Sequence, residues 1–267
     1  MQVHVLASGS TGNAILLDFK ETKILVDAGI STRRIKNSLA ELGICIEELD
    51  GVVITHEHRD HVSGLATMTK KYNVPVYASM NTWGAMYCRE SIPDQCCKVL
   101  PKVLEMGDVR IEPFSISHDA ADPVGFRFYR GEDKCSVVTD LGFVTEHVKE
   151  AIALSDILVL ESNHDIEMLE NGAYPWHLKR RIMSNRGHLS NYDAGWTLAR
   201  LERKPSMQVF LAHMSQQNND PELAMHTVST ILTEYGCKLG SEIELYKTYP
   251  DRIVSSNRLL LEKTCNM

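Results

Sequence analysis

The sequence predicts an α/β protein built from two β-sheets packed face to face, with helices on the outside. Short apolar, β-branched runs recur along both halves of the chain and are interleaved with segments of helical period. The chain has 267 residues, 43% of them hydrophobic, enough to bury a full core. This leads us to expect one domain over residues 1–267 with two β-rich halves, roughly 1–120 and 121–267. No apolar run is long enough to span a bilayer, so no membrane partner is expected.

Taken in order, strands are expected at 2–7, 13–19, 23–26, 51–55, 74–77, 109–117, 124–130, 134–139, 156–161, 207–212 and 242–247. Gly51-Val52-Val53-Ile54-Thr55 has the length and branching of a buried strand, and Phe114-Ser115-Ile116-Ser117 alternates. Gly131-Glu132-Asp133-Lys134 reads as a hairpin. Helices are expected at 31–42, 61–72, 80–90, 145–153, 176–184, 191–203 and 221–235. The last is the best marked: Asp220 caps it, Pro221 opens it and Gly236 follows its end. The start, Met1 to Gly9, lacks a charged region and an apolar signal core, and reads as a strand entering a turn. Seven cysteines (45, 88, 96, 97, 135, 237 and 265), odd in number and without Cys-x-x-Cys, suit reduced thiols in a cytoplasm.

The run His56-Glu57-His58-Arg59-Asp60-His61 puts four metal-ligand side chains within six residues, directly after the expected strand 51–55. An extended backbone repeats every two residues, so His56 and His58 leave the strand on one side, while Asp60 and His61 aim at a second nearby point. Imidazole nitrogen and carboxylate oxygen suit Zn²⁺, Mn²⁺ or Fe²⁺. Two ions need more ligands, and His118, Asp140 and His213 each end an expected strand, where a rigid sheet presents side chains to a cleft.

Asp27-Ala28-Gly29, the His56–His61 run, His118, Asp140 and His213 occur in the order and spacing of the five motifs of the metallo-β-lactamase fold, and the chain resembles that fold over nearly its whole length. The stretches Ser117–Gly125, Tyr174–Lys179 and Arg186–Asn191 are similar to the WalJ/YycJ branch of bacterial proteins, described as DNA 5′→3′ exonucleases and related to ribonuclease Z. The resemblance implies a four-layer αββα sandwich holding two divalent ions. It places His56, His58 and His118 on one ion and Asp60, His61 and His213 on the other. Asp140 bridges them, and Asp27 orients a ligating histidine from behind.

That ligand set leaves the cleft net positive, suited to a phosphodiester attacked by a metal-bridging hydroxide beside Asp60. Glu161 and His188 resemble the Glu/His pair that ribonuclease Z relatives use to protonate the departing oxygen. His164, also close after Glu161, is the alternative acid. His118 and Asp140 lie only 22 residues apart, which leaves no room for the tRNA-gripping arm of ribonuclease Z. The 73 residues from Asp140 to His213 leave none for the cap of larger nucleases of the fold. A cyclic-nucleotide or other small phosphodiesterase, or a metal-retaining regulatory module, are the competing readings.

Net charge is −7, unfavourable for a protein that embraces nucleic acid. Between Asn171 and Tyr192, however, stand Lys179, Arg180, Arg181 and Arg186 with no acidic residue. They form either a solvated helix face or a guide for a DNA strand. Arg33, Arg34 and Lys36 make a weaker second cluster. Tyr174 and Trp176 can either stack a base or pack locally. The opening turn, with Ser8, Ser10 and Asn13, can approach a phosphate or simply close a hairpin.

Overall fold

The computed structural model describes residues 1–257. Cys265 and the last ten positions of the expected domain lie outside the described residues. Two seven-stranded mixed sheets carry the fold. In the first, β1 (Gln2–Ala7), β2 (Ala14–Asp18), β3 (Lys23–Val26), β4 (Gly51–Val53), β5 (Val76–Ala78) and β6 (Cys97–Val99) lie side by side in chain order, and β14 (Val254–Ser255) pairs with β1. The second runs, also in chain order, through β7 (Leu104–Met106), β8 (Val109–Ser115), β9 (Val124–Arg130), β10 (Asp133–Val138), β11 (Ile157–Glu161), β12 (Met207–Ala212) and β13 (Ile243–Lys247). Each sheet opens with antiparallel strands and continues with parallel ones, from β3 to β6 and from β10 to β13.

The boundary between the halves falls earlier than expected. β7 and β8 already belong to the second sheet, while β14 returns to the first. Hydrogen bonding between strands, which no local pattern reveals, decides this.

Alternation along the strands explains why they read as continuous apolar runs. Ile24 and Val26 face inward with Val3, Val5, Ile15 and Leu17, meeting Phe126, Phe128, Val137, Ile157, Val159 and Phe210 of the other sheet. Leu25, Val52 and Ile54 face outward, beneath α1 (Thr32–Glu41), α3 (Leu65–Tyr72) and α4 (Met80–Ala85). Val138, Leu158, Leu160, Val209 and Leu211 face the other way, beneath α5 (Glu146–Ile152), α8 (Asn191–Ala199) and α9 (Pro221–Glu234). Both sheets are thus buried on both faces, giving the four layers αββα.

The expected helix over 61–72 is two pieces, α2 (Arg59–Val62) and α3, separated at Ser63-Gly64. A Cβ on Gly64 would lie 2.3 Å from the Ile30 carbonyl oxygen, so the chain must turn against the 28–30 loop there. Two short helices, α6 (Ile166–Asn171) and α7 (Trp176–Ile182), lie between β11 and α8. α6 is not among the expected helices, although Asp165 accepts from Met168 N as its cap. The hairpin turn is Gly131-Glu132, since Arg130 already pairs with Asp133. Among the described residues six cysteines are free; Cys135 lies in the intersheet core, away from the candidate ligands. No described helix is long and apolar enough to cross a membrane.

Candidate metal centre and its surroundings

The chain positions its acidic and imidazole side chains at strand exits, and three of those exits adopt an unusual backbone. Asp27, Asp140 and His213 follow β3, β10 and β12 with φ of 60°, 60° and 54°. Left-handed backbone is uncommon for residues with a Cβ and persists where surrounding contacts over-determine it. Those contacts are present. Asp27 accepts from Thr55 N at 2.9 Å, from Thr55 Oγ1 at 2.8 Å and from His61 Nδ1 at 2.7 Å. His213 donates its backbone N–H to Ser8 Oγ at 2.7 Å, and its carbonyl accepts from Asn163 Nδ2 at 2.7 Å. The Asp27 loop can sit this close to α2 because residue 29 is glycine: a Cβ there would lie 1.6 Å from the Asp60 carbonyl oxygen.

The hydrogen bonds assign a tautomer to four histidines. His61 Nδ1 donates to Asp27, and His213 Nδ1 donates to Glu161 Oε1 at 2.8 Å. His118 Nδ1 donates to the Gly187 carbonyl at 3.2 Å. Thr55 Oγ1, having given its proton to Asp27, accepts from His56 Nδ1 at 3.0 Å. All four rings therefore turn Nε2 towards the cleft, with Nδ1 committed behind them. Metal-ligating histidines are held this way, with the remote N–H tied to an acceptor.

Ligand atoms converge in overlapping groups, each within 4.8 Å: His56, His58 and His118; Asp60, His61 and His213; His56, His61 and Asp140. Asp140 joins them, its Oδ2 standing 3.2 Å from His61 Nε2 and its Oδ1 3.3 Å from His213 Nδ1 and 3.7 Å from His118 Nε2. Asp60 Oδ2 lies 3.4 Å from both His61 Nε2 and His213 Nε2. His56 Nε2, His118 Nε2 and Asp140 Oδ2 are buried without a hydrogen-bond partner. Unpaired buried polar atoms are costly, and three converging in one place fit a cationic ligand. The donor set, imidazole nitrogen with carboxylate oxygen, suits a divalent metal ion.

Charges in this cluster are strongly coupled. Burial alone would lower the His213 imidazole, but Asp140 and hydrogen bonds to Asp60 and Glu161 outweigh it and push it up to about 10. Burial lowers His56 well below its ordinary range, helped by the neighbouring His61. Burial would raise the Asp60 and Asp140 carboxyls, yet the surrounding imidazoles hold both below the usual carboxylate range.

A second constellation borders the first. Glu161, fully buried at the end of β11, accepts from His188 Nδ1 at 2.9 Å as well as from His213. Its other oxygen accepts from Leu141 N at 3.0 Å and Leu189 N at 2.9 Å. One carboxylate thus fixes the His188 and His213 rings and two loops, a wider role than partnering His188 alone. Burial opposes ionisation of Glu161, but His188 and the hydrogen bonds from both rings bring it down to about 2. Burial lowers His188, while the ionised Glu161 and its hydrogen bond more than compensate, leaving that imidazole raised. His164 is buried too and, with burial dominant, is pushed down to about 4.

The expected nucleic-acid contacts divide. Arg180, Arg181 and Arg186 are exposed, and Arg181 Nε pairs with Asp119 Oδ2 at 2.5 Å. Lys179 departs from the expectation. It is buried, and its ammonium donates to the Glu170 carbonyl at 2.7 Å, closing the end of α6 instead of facing a ligand. Ser8 is likewise buried and committed to His213, and Asn13 braces the motif, with Oδ1 accepting from Gly9 N at 2.9 Å and Nδ2 lying 3.2 Å from His61 Nε2. Ser10 is exposed at the cleft. Arg33 and Lys36 line a separate hollow with Lys71. Sequence reasoning missed Thr55 and Asp119. Thr55 is the hydroxyl that links Asp27 to two histidines; its position directly before His56 was the available signal.

Comparison with known proteins agrees with this architecture. Residues 22–214 match the Beta-lactamase superfamily domain. The chain is 40% identical over 249 residues to the exodeoxyribonuclease YycJ of Bacillus anthracis, covering 92% of this chain and 94% of that one. It is 37% identical over 252 residues to the exodeoxyribonuclease WalJ of Streptococcus pneumoniae, with the same coverage of 92% and 94%. Among solved structures, Zn²⁺-bound PqqB from Methylobacterium extorquens superposes with a TM-score of 0.71 at 16% identity, covering 97% of this chain and all (100%) of that one. The chain therefore belongs to the metallo-β-lactamase superfamily and, within it, to the family of the WalJ/YycJ exodeoxyribonucleases.

Proposed function

We propose that the protein is a dinuclear metal-dependent exonuclease that degrades DNA from the 5′ end, acting as one domain in the cytoplasm. It is a phosphodiester-hydrolysing enzyme by family, and the observation that carries the finer reading is the pairing of two constellations. Four imidazoles present Nε2 to one cleft, and beside it the buried Glu161 holds a fifth, His188, through Nδ1. His56, His58 and His118 would hold one ion, Asp60, His61 and His213 the other, with Asp140 between them. Zn²⁺ or Mn²⁺, with Fe²⁺ as a further choice, fits these donors and supplies Lewis acidity and counter-charge for a phosphodiester when bound.

The chain's own residues do the rest. Asp60 Oδ2, between His61 and His213, is placed to accept a hydrogen bond from the attacking water and orient it. His188 keeps Nδ1 on Glu161 and passes a proton from Nε2 to the departing sugar oxygen. His164 suits that role less well, because an imidazole held near 4 is neutral at physiological pH. Arg180, Arg181 and Arg186 offset the −7 net charge locally and attract the strand. The test is incubation of the Mn²⁺-loaded protein with end-labelled single- and double-stranded DNA and RNA. The expected result is early release of a 5′ label as a mononucleotide from DNA. Internal fragments, or cleavage confined to RNA, would overturn the reading.

A further inference from the structure

We infer that the cavity beside His188 is a nucleoside pocket, which receives the terminal base of the strand and confines hydrolysis to chain ends. This rests on the proposed DNA exonuclease reading. The cavity holds about 210 Å³ and is partly enclosed. One wall is apolar: the half-buried Tyr174 and Leu178 and the buried Ile182, all contributed by α7 and the turn before it. Ser10 of the opening turn stands among the polar lining residues. His188 and Asp119 also line it, and both reach the candidate metal centre: His188 Nδ1 is 3.6 Å from Asp140 Oδ1, and Asp119 Oδ1 is 3.4 Å from His118 Nε2.

A ring and two branched aliphatic side chains suit the flat face of a base. Such stacking is tolerant of base identity, because every base has a π-face. The position beside His188 matters more. In digestion from a 5′ end, the oxygen that departs is the 3′ oxygen of the terminal nucleotide. The group that protonates it must lie next to that nucleotide, and His188 lines this cavity. Arg181 closes one side by its ion pair with Asp119, tying α7 to the loop after β8. A chain end can enter such a cavity, whereas a continuous strand meets the paired side chains.

The test uses metal-loaded full-length protein and two probes, thymidine 5′-monophosphate and deoxyribose 5-phosphate, with affinities measured by calorimetry. Wild type should bind the nucleotide at least about tenfold more tightly, the range of one base stack. Leu178→Trp, which fills the cavity, should abolish that preference while leaving deoxyribose 5-phosphate binding unchanged. Tyr174→Ala, the variant less able to disturb folding, should reduce it. Equal binding of the two probes by wild type, or a preference that survives both substitutions, would overturn the pocket. Binding is read without turnover, so a preserved nucleotide preference in a protein that cuts no DNA would uphold the pocket and sink the nuclease reading instead.

Discussion

On the side of the first sheet, His56, His58, Asp60 and His61 come from one six-residue stretch that leads from the loop after β4 into α2. On the side of the second sheet, Asp140, Glu161 and His213 each close a different strand, and His118 and His188 come from loops. The first group is held from behind by Asp27 and Thr55, the second by Glu161 and the backbone N–H of Leu141 and Leu189. A cluster local in sequence needs one carboxylate to orient it. A cluster assembled from separate strands needs a carboxylate that bonds to several of them at once, and a sheet stiff enough to keep the strands in register.

The largest expected effect is at the residue that belongs to both sides. Asp140→Asn should lower hydrolysis of DNA by on the order of 10³-fold. Retention of wild-type turnover with full metal content would break the two-sided description.

The two supporting carboxylates offer a matched comparison. Glu161→Gln removes the charge and leaves one acceptor oxygen for the two rings and two backbone N–H groups that share the carboxylate, so it should cost ~10²–10⁴-fold on DNA. It should cost much less on bis-p-nitrophenyl phosphate, whose leaving group departs without a proton. Asp27→Asn touches only the first side and should lower metal affinity by ~10–100-fold, with no such difference between substrates. Identical substrate profiles for the two variants would show that the sides are not separable.

A pH series on the metal-free protein sharpens the same point. Glu161 has its carboxyl lowered to about 2, so its stabilising contribution is complete above its ordinary value of 4.5 and fades as pH falls through about 2. Its partner His213, raised to about 10, contributes below its ordinary value of 6.5 and loses that contribution as pH rises through about 10. The Tm gap between wild type and Glu161→Gln should therefore be widest between pH 4.5 and 6.5, and narrow below pH 4.5 and again as pH rises from 6.5 towards about 10. A gap that does not change with pH would mean that Glu161 acts by packing alone.

The smallest expected effects distinguish Lys179 from its neighbours. Replacing Arg180, Arg181 and Arg186 together should weaken DNA binding and reduce the salt slope by about 0.7–0.9 for each phosphate no longer neutralised. Lys179→Met should leave the slope unchanged and lower Tm modestly, since its ammonium closes α6. A slope change from Lys179→Met would return that lysine to the binding surface.

Several features are legible in the amino-acid order alone. Alternation and branching locate the principal strands, because a residue's face is set by its parity along an extended chain. The His56–His61 run announces a ligand cluster because all its members are near neighbours in sequence. β6, β7 and β14 are not legible. Each is two or three residues long, too short for a period to register, and exists through its partner strand. The break at Gly64 is hidden too, since it answers to the Ile30 carbonyl across a loop.

By itself, then, the sequence determined which residue types are available for chemistry and which strands are buried on both sides. Both follow from local spacing and side-chain character. Only the tertiary structure decided that Glu161 serves two histidines, that Lys179 and Ser8 are spent on the scaffold, and that Asp119 and Arg181 close a cavity beside His188. A hydrogen bond commits a group to one partner at about 3 Å, and most of those partners lie dozens to hundreds of residues away along the chain.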